Sequence, residues 1–290
     1  MIISNLTNFL SKKYGIVRTV EMLIEAGFTG IDVSMFDIKK FPFTDDYKEI
    51  CAEIKAIADS HGVKFVQAHA PFGTYEQTMN EYVPVLPRAF EVCELLGIPA
   101  IVVHPLTIGR YNSFKEESNR VNVEYYNKIK PLAKKHGVKI AVENMWTVHP
   151  VTRRIVDAAL ADPRELRDFV DGLCDPEVFT ICLDLGHVAL CSREPEDAIR
   201  IIGGERLGCL HIHDVDYISD LHTLPGIGKI NWDNVCRALA DVNYSGIFNL
   251  EVENFLNGFL PEHEDVCLKF MADTTRIFAE KVEYYKTHKE

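Results

Sequence analysis

The sequence predicts a (β/α)8 barrel, the TIM-barrel architecture, as a single domain over residues 1–290. Three observations lead there. The chain has 290 residues, and such barrels typically take about 250. Short apolar runs alternate with segments of 3.6-residue period along the whole chain, as when strands are joined by helices. The runs are nearly continuous in hydrophobicity rather than alternating, which suits a parallel sheet covered by helices. An open doubly wound sheet is the competing fold. It fits less well, because no GxGxxG or GxxxxGKS/T phosphate loop follows any run.

The first two strands are expected at residues 2–4 and 30–34, ahead of a helix at 47–60. The third strand, 64–69, follows that helix through a junction that the chain uses twice. IADSHGVKFVQAHA (57–70) and LAKKHGVKIAVENM (132–145) share an amphipathic helix end, a His-Gly stop, a Lys, and an apolar strand closed by a polar residue. Gly62 and Gly137 suit the left-handed position after a helix, and His61 and His136 suit cations near helix C-termini, so neither histidine is given a catalytic role. Helices at 83–96 and 125–135 then bracket a fourth strand at 100–104, and the fifth strand is 139–143. The remaining strands are placed at 179–184, 208–211 and 247–251, with helices at 233–240 and 264–285. Trp232, after Asn231 at a helix start, reads as structural, and Gly226 and Gly228 read as a tight turn.

Composition narrows the function. The chain is 47% hydrophobic and 26% charged, a globular balance. No apolar run approaches the roughly 20 residues of a membrane helix, and no secretory signal is read at the start, so a cytoplasmic location is expected. Eight cysteines are scattered singly without a CxxC pair, which points to reduced thiols. The net charge of −12 disfavours a broad phosphate-gripping surface, so nucleic acid is not the expected partner. A small molecule is, and a homo-oligomer stays open.

In such barrels the chemistry lies at the C-terminal strand ends. Here the third strand ends FVQAH at His69, the fourth IVVH at His104 and the fifth IAVE at Glu143. The sixth ends TICLD at Asp184, the seventh LGCLH at His211 and the eighth FNLE at Glu251. A lone Asp or Glu after a strand is commonly only a helix N-cap. Six consecutive ends of ligand type converging on one mouth read instead as a site for a divalent metal, Mn²⁺, Co²⁺, Zn²⁺ or Mg²⁺. Glu143, Asp184, His211 and Glu251 form the expected ligand set. In LHIHDVD (210–216) the alignment with neighbouring strands puts the last buried position at His211, leaving His213 to the following loop with Asp214 and Asp216. Phe72, Tyr75 and Trp146 are candidate apolar walls for a substrate.

Over most of its length the chain resembles the xylose-isomerase-like TIM barrels, which include sugar epimerases, inosose-processing enzymes and class II apurinic endonucleases. The resemblance rests on VEN (142–144), CLDLGH (182–187), LHIHD (210–214), LPGIGKINW (224–232) and the terminal LE (250–251). It implies one divalent metal on Glu143, Asp184, His211 and Glu251, with both glutamates also working on substrate and His187 contacting it. The endonuclease branch implies ligands for further zinc ions at His69, His104, His187, Asp220 and His222. Many sugar-active relatives keep part of this set, and in this chain the five residues are expected to serve a second metal or the substrate.

The preferred expectation is therefore a sugar or sugar-phosphate isomerase or epimerase of carbohydrate metabolism, acting through a metal-stabilised enediolate. Glu143 and Glu251, with His187 beside them, are the catalytic candidates. The alternatives are an inosose-type dehydratase on the same site and a multi-zinc phosphodiesterase.

Overall fold

The computed structural model describes residues 1–288. Ten strands form: β1 Ile2–Leu6, β2 Gly30–Ser34, β3 Lys64–His69, β4 Ala100–Val103, β5 Lys139–Glu143, β6 Trp146–Val148, β7 Ile155–Asp157, β8 Phe179–Asp184, β9 Leu207–His211 and β10 Ile247–Leu250. Eight of them pair in the order β10-β1-β2-β3-β4-β5-β8-β9, every pair parallel. The seam between β9 and β10 is closed just past His211. There Ile212 bridges to Leu250, its N–H donates to Asn249 O at 2.9 Å, and Glu251 N–H donates to Ile212 O at 3.0 Å. The result is the expected (β/α)8 barrel.

Differences from the sequence reading have local causes. The helix expected at 125–135 spans Lys115–His136, because its first half, KEESNRVNV, is polar and carries no strong apolar stripe. The one expected at 83–96 opens as a 3-10 turn, Val83–Val85, before the α-helix Leu86–Leu96; Pro84 and Pro87 lack the N–H groups that a helix interior needs. The antiparallel hairpin β6–β7 was not foreseen, since three-residue strands give too little periodicity to read. Among the described residues no helix is long and apolar enough to cross a membrane.

Most of the core lies between the barrel wall and its helices. The barrel interior is a separate space. Side chains two apart on a strand share a face, so the residues beneath the mouth are Gln67, Val102, Ala141, Cys182, Cys209 and Asn249. They divide by chemistry. Ala100, Val102, Ala141, Cys182 and Cys209 make a small apolar cluster. Opposite them, Ser4, Asp32, Gln67 and Asn249 are all buried, with Gln67 Nε2 and Asn249 Nδ2 both donating to Asp32 Oδ2, at 2.7 and 2.8 Å. Ser4 donates to Asn249.

Candidate functional site

The strand ends bring Glu143, Asp184, His211 and Glu251 together, with one donor atom from each lying within 4.8 Å of all the others. His211 Nδ1 is the centre of this group, 2.9 Å from Glu251 Oε2, 3.2 Å from Glu143 Oε1 and 3.9 Å from Asp184 Oδ2. All four residues are buried. Burial disfavours every charge here, yet the charges hold one another. For Glu143, burial is outweighed by His211 and His104, which keep its carboxyl well below the usual range. Glu251 is likewise held well below it by His211, against burial. Burial works against the imidazolium of His211 too, and Cys182, Glu251 and Glu143 override it and raise its pKa well above the ordinary value. Three carboxylates converging on one imidazole exceed the charge that a single proton balances. A divalent cation fits this donor set of hard oxygens and one nitrogen.

Asp184 also has the bland role considered for it. Its Oδ1 accepts His187 N–H at 2.7 Å and caps the short helix Leu185–Leu190. Asn144 fixes the same residue from β5, donating Nδ2 to Asp184 O at 2.9 Å and accepting Asp184 N–H at 2.8 Å. The Asn144 carbonyl in turn lies 2.9 Å from His187 Nδ1, and Trp146 stands edge-on to that ring at 6.3 Å.

His69 and His104 flank Glu143 on the other side. His69 Nδ1 faces Ala70 O at 3.0 Å, leaving Nε2 free to turn toward the site. His104 Nε2 lies 3.0 Å from both His69 Nε2 and Glu143 Oε2. Burial lowers the pKa of His104. Phe36 and Phe72 pack on these rings at 4.6 and 4.3 Å. From His104 a cavity of about 760 Å³ opens outward between Phe72, Tyr75, Ile108, Met145 and Trp146, a size suited to a small ligand.

In LHIHDVD, His211 belongs to the first group and His213 follows β9 in the loop, as the sequence reading has it; what that reading lacks is that His213 is fully buried and joins His187, Asp220 and His222 in a second group of converging donors. The bridge at Ile212 prolongs the barrel wall, so residues 211 and 213 both face inward. His213 Nε2 sits 3.1 Å from Asp184 Oδ1, which links the two groups, and its ring stacks on His222 at 4.0 Å. His222 Nε2 lies 3.2 Å from Asp220 Oδ2. Burial opposes the charged form of His222, but the Asp220 hydrogen bond and the charge of Glu251 push its pKa up to about 10.

Two further residues build this second group. Gly186 packs so closely that a Cβ there would overlap the His213 ring, and the glycine in DLGH is the signal that could have revealed it. Asp214, fully buried, organises the loop that carries Asp220 and His222. Its Oδ1 accepts from the Val215 and Ile230 N–H groups at 2.9 and 3.1 Å. Its Oδ2 accepts from Gly226 N and Trp232 Nε1, both at 2.8 Å, which gives Trp232 its structural place.

Residues 20–271 match the family described as xylose isomerase-like TIM barrel. The chain belongs to that family. Among its relatives, the D-psicose 3-epimerase of Ruminiclostridium cellulolyticum is 25% identical over 235 residues, covering 77% of this chain and 74% of that one. The solved structure of a D-tagatose 3-epimerase-like protein superposes with a TM-score of 0.75 at 20% identity, over 97% of this chain and 100% of the other. The IOLI protein, solved with a zinc atom, gives 0.72 at 19% identity over 100% of both chains. Relatives of this chain thus include a sugar epimerase, and one structure of the same fold holds zinc.

Proposed function

We propose that this protein is a divalent-metal-dependent isomerase or epimerase of a sugar or sugar phosphate. The observation that carries the reading is the placement of Glu143 and Glu251 on either side of His211 Nδ1, at 3.2 and 2.9 Å, on strands five and eight of the barrel. A divalent ion held by Glu143, Asp184, His211 and Glu251 would supply a Lewis acid for a carbonyl and its neighbouring hydroxyl. One glutamate, as the carboxylate, removes the proton from the carbon beside the carbonyl, and the other, having taken a proton from solvent, delivers it to the opposite face, which inverts that carbon. His187, anchored on the Asn144 carbonyl, orients a substrate hydroxyl. Phe72, Tyr75 and Trp146 enclose the apolar face of the sugar in the adjoining cavity, excluding water from the proton transfer. The epimerases among the relatives support the same substrate class.

A second reading has its own observation in favour. His187, His213, Asp220 and His222 converge as a further donor group, and His69 and His104 crowd Glu143, so more than one ion could be held. That arrangement suits a multi-zinc phosphodiesterase. An inosose-type dehydratase needs only the first group. The deciding experiment is a panel of keto- and aldo-sugars, free and phosphorylated, incubated with Mn²⁺ or Co²⁺ in D2O and followed by NMR. An abasic-site oligonucleotide is assayed alongside. Deuterium entering the product carbon supports the proposal. Incision of the oligonucleotide with no sugar turnover overturns it.

A further inference from the structure

We infer that Asp32, beneath the mouth on β2, is a positioning residue for His211, accepting the imidazole's second N–H through a water buried in the barrel interior. The inference rests on the metal reading above. His211 turns Nδ1 toward Glu143 and Glu251, so the coordinating nitrogen is Nδ1 and the ring proton belongs on Nε2. A ligating imidazole almost always donates that other N–H to a carboxylate, carbonyl or water, which fixes its tautomer and orientation. Yet His211 Nε2 is buried without a partner of good hydrogen-bond geometry, and the Cys182 thiol is the side chain whose hydrogen bond acts on the ring.

Acceptors of the right kind lie in one half of the interior. Asp32 is wholly buried, and its Oδ2 already takes the N–H groups of Gln67 and Asn249. Its Oδ1 is buried without a partner, as is Gln67 Oε1. Buried polar atoms left bare in this way are rare, and an ordered water with two to four such partners is the usual resolution. Burial pushes the Asp32 carboxyl up to about 6, and His211 is the neighbour that most opposes the rise, so the two groups sense each other. The opposite half, Ala100, Val102, Ala141, Cys182 and Cys209, offers only thiols, which are weak acceptors. Cys182 is the alternative partner.

Asp32→Asn separates the roles. Its amide oxygen can still receive Gln67 and Asn249, while its NH2 replaces the free carboxylate oxygen with a donor. Wild type, Asp32→Asn and Cys182→Ala are stripped with chelator and titrated with Mn²⁺, and the hydrogen bond of the His211 Nε2–H is read from its proton chemical shift in the Zn²⁺-loaded proteins. The inference predicts a dissociation constant raised roughly 10- to 100-fold in Asp32→Asn, an upfield move of the Nε2–H proton as its hydrogen bond weakens, and native circular dichroism of the metal-free protein. Cys182→Ala should bind as wild type does. An unchanged dissociation constant or Nε2–H shift in Asp32→Asn, or the loss appearing in Cys182→Ala instead, overturns the role of Asp32. Wild type that binds no divalent ion overturns the metal reading first, and the inference with it.

Discussion

Two donor groups of this barrel share Asp184 as a neighbour but are built differently. Glu143, Asp184, His211 and Glu251 stand at the ends of hydrogen-bonded strands, and all are buried. His187, His213, Asp220 and His222 come from a short helix and a long loop, with Asp220 and His222 only partly covered. The first group inherits its geometry from strand register. The second depends on local devices: the Asp214 hub, the missing side chain at Gly186, and a left-handed backbone at His222, φ 40°. The proposed reaction draws its fixed distances from the first group.

The sharpest way to break this division is at the glutamates. Glu143→Gln and Glu251→Gln should each lower turnover by roughly 10²–10⁴, measured by steady-state kinetics. Near-normal rates in both would remove them from the chemistry. Next come the paired histidines. His211→Ala should strip the first metal, whereas His213→Ala should leave it bound and disturb only the second group, as elemental analysis will show. The reverse outcome would exchange the roles of the two groups.

A smaller effect is expected at Gly186→Ala. The new methyl overlaps the His213 ring, and overpacking of this kind costs about 1–3 kcal/mol. Thermal melting should fall by several degrees, while Mn²⁺ affinity at the first group holds. A melting point equal to wild type would mean that His213 is free to move.

A separate effect is on pH. His222 rises from an ordinary value of about 6.5 to about 10 in the folded, metal-free protein. A raised pKa means stability that is fully present below about 6.5 and lost as pH climbs through 10. The metal-free melting temperature should therefore decline over that window, and His222→Gln should flatten the decline. An ion held at the second group would show the opposite trend, binding more tightly as pH rises, because a ligating imidazole must shed its proton.

Much of this was legible in the sequence, and the reason is physical. His69, His104, Glu143, Asp184, His211 and Glu251 each close an apolar run, and a run that ends on a ligand type marks a barrel mouth. The eight barrel strands lie within two residues of where the apolar runs put them. His213 was not legible, because its inward turn depends on a single bridge from Ile212 to a strand about forty residues on. Asp214 was hidden for a similar reason: its partners at 226, 230 and 232 come from the far end of the same loop. Asp32 stands mid-strand among apolar residues, and only the packed interior shows it meeting Gln67 and Asn249.

Everything proposed for this barrel turns on whether the buried four hold a divalent ion. Calorimetric titration of chelator-stripped protein with Mn²⁺, repeated on Asp184→Asn, decides it. The wild type should show a saturable site that is lost or greatly weakened in Asp184→Asn, with the circular dichroism of both proteins alike. Equal binding by the two proteins, or none by either, would remove the ion from these residues.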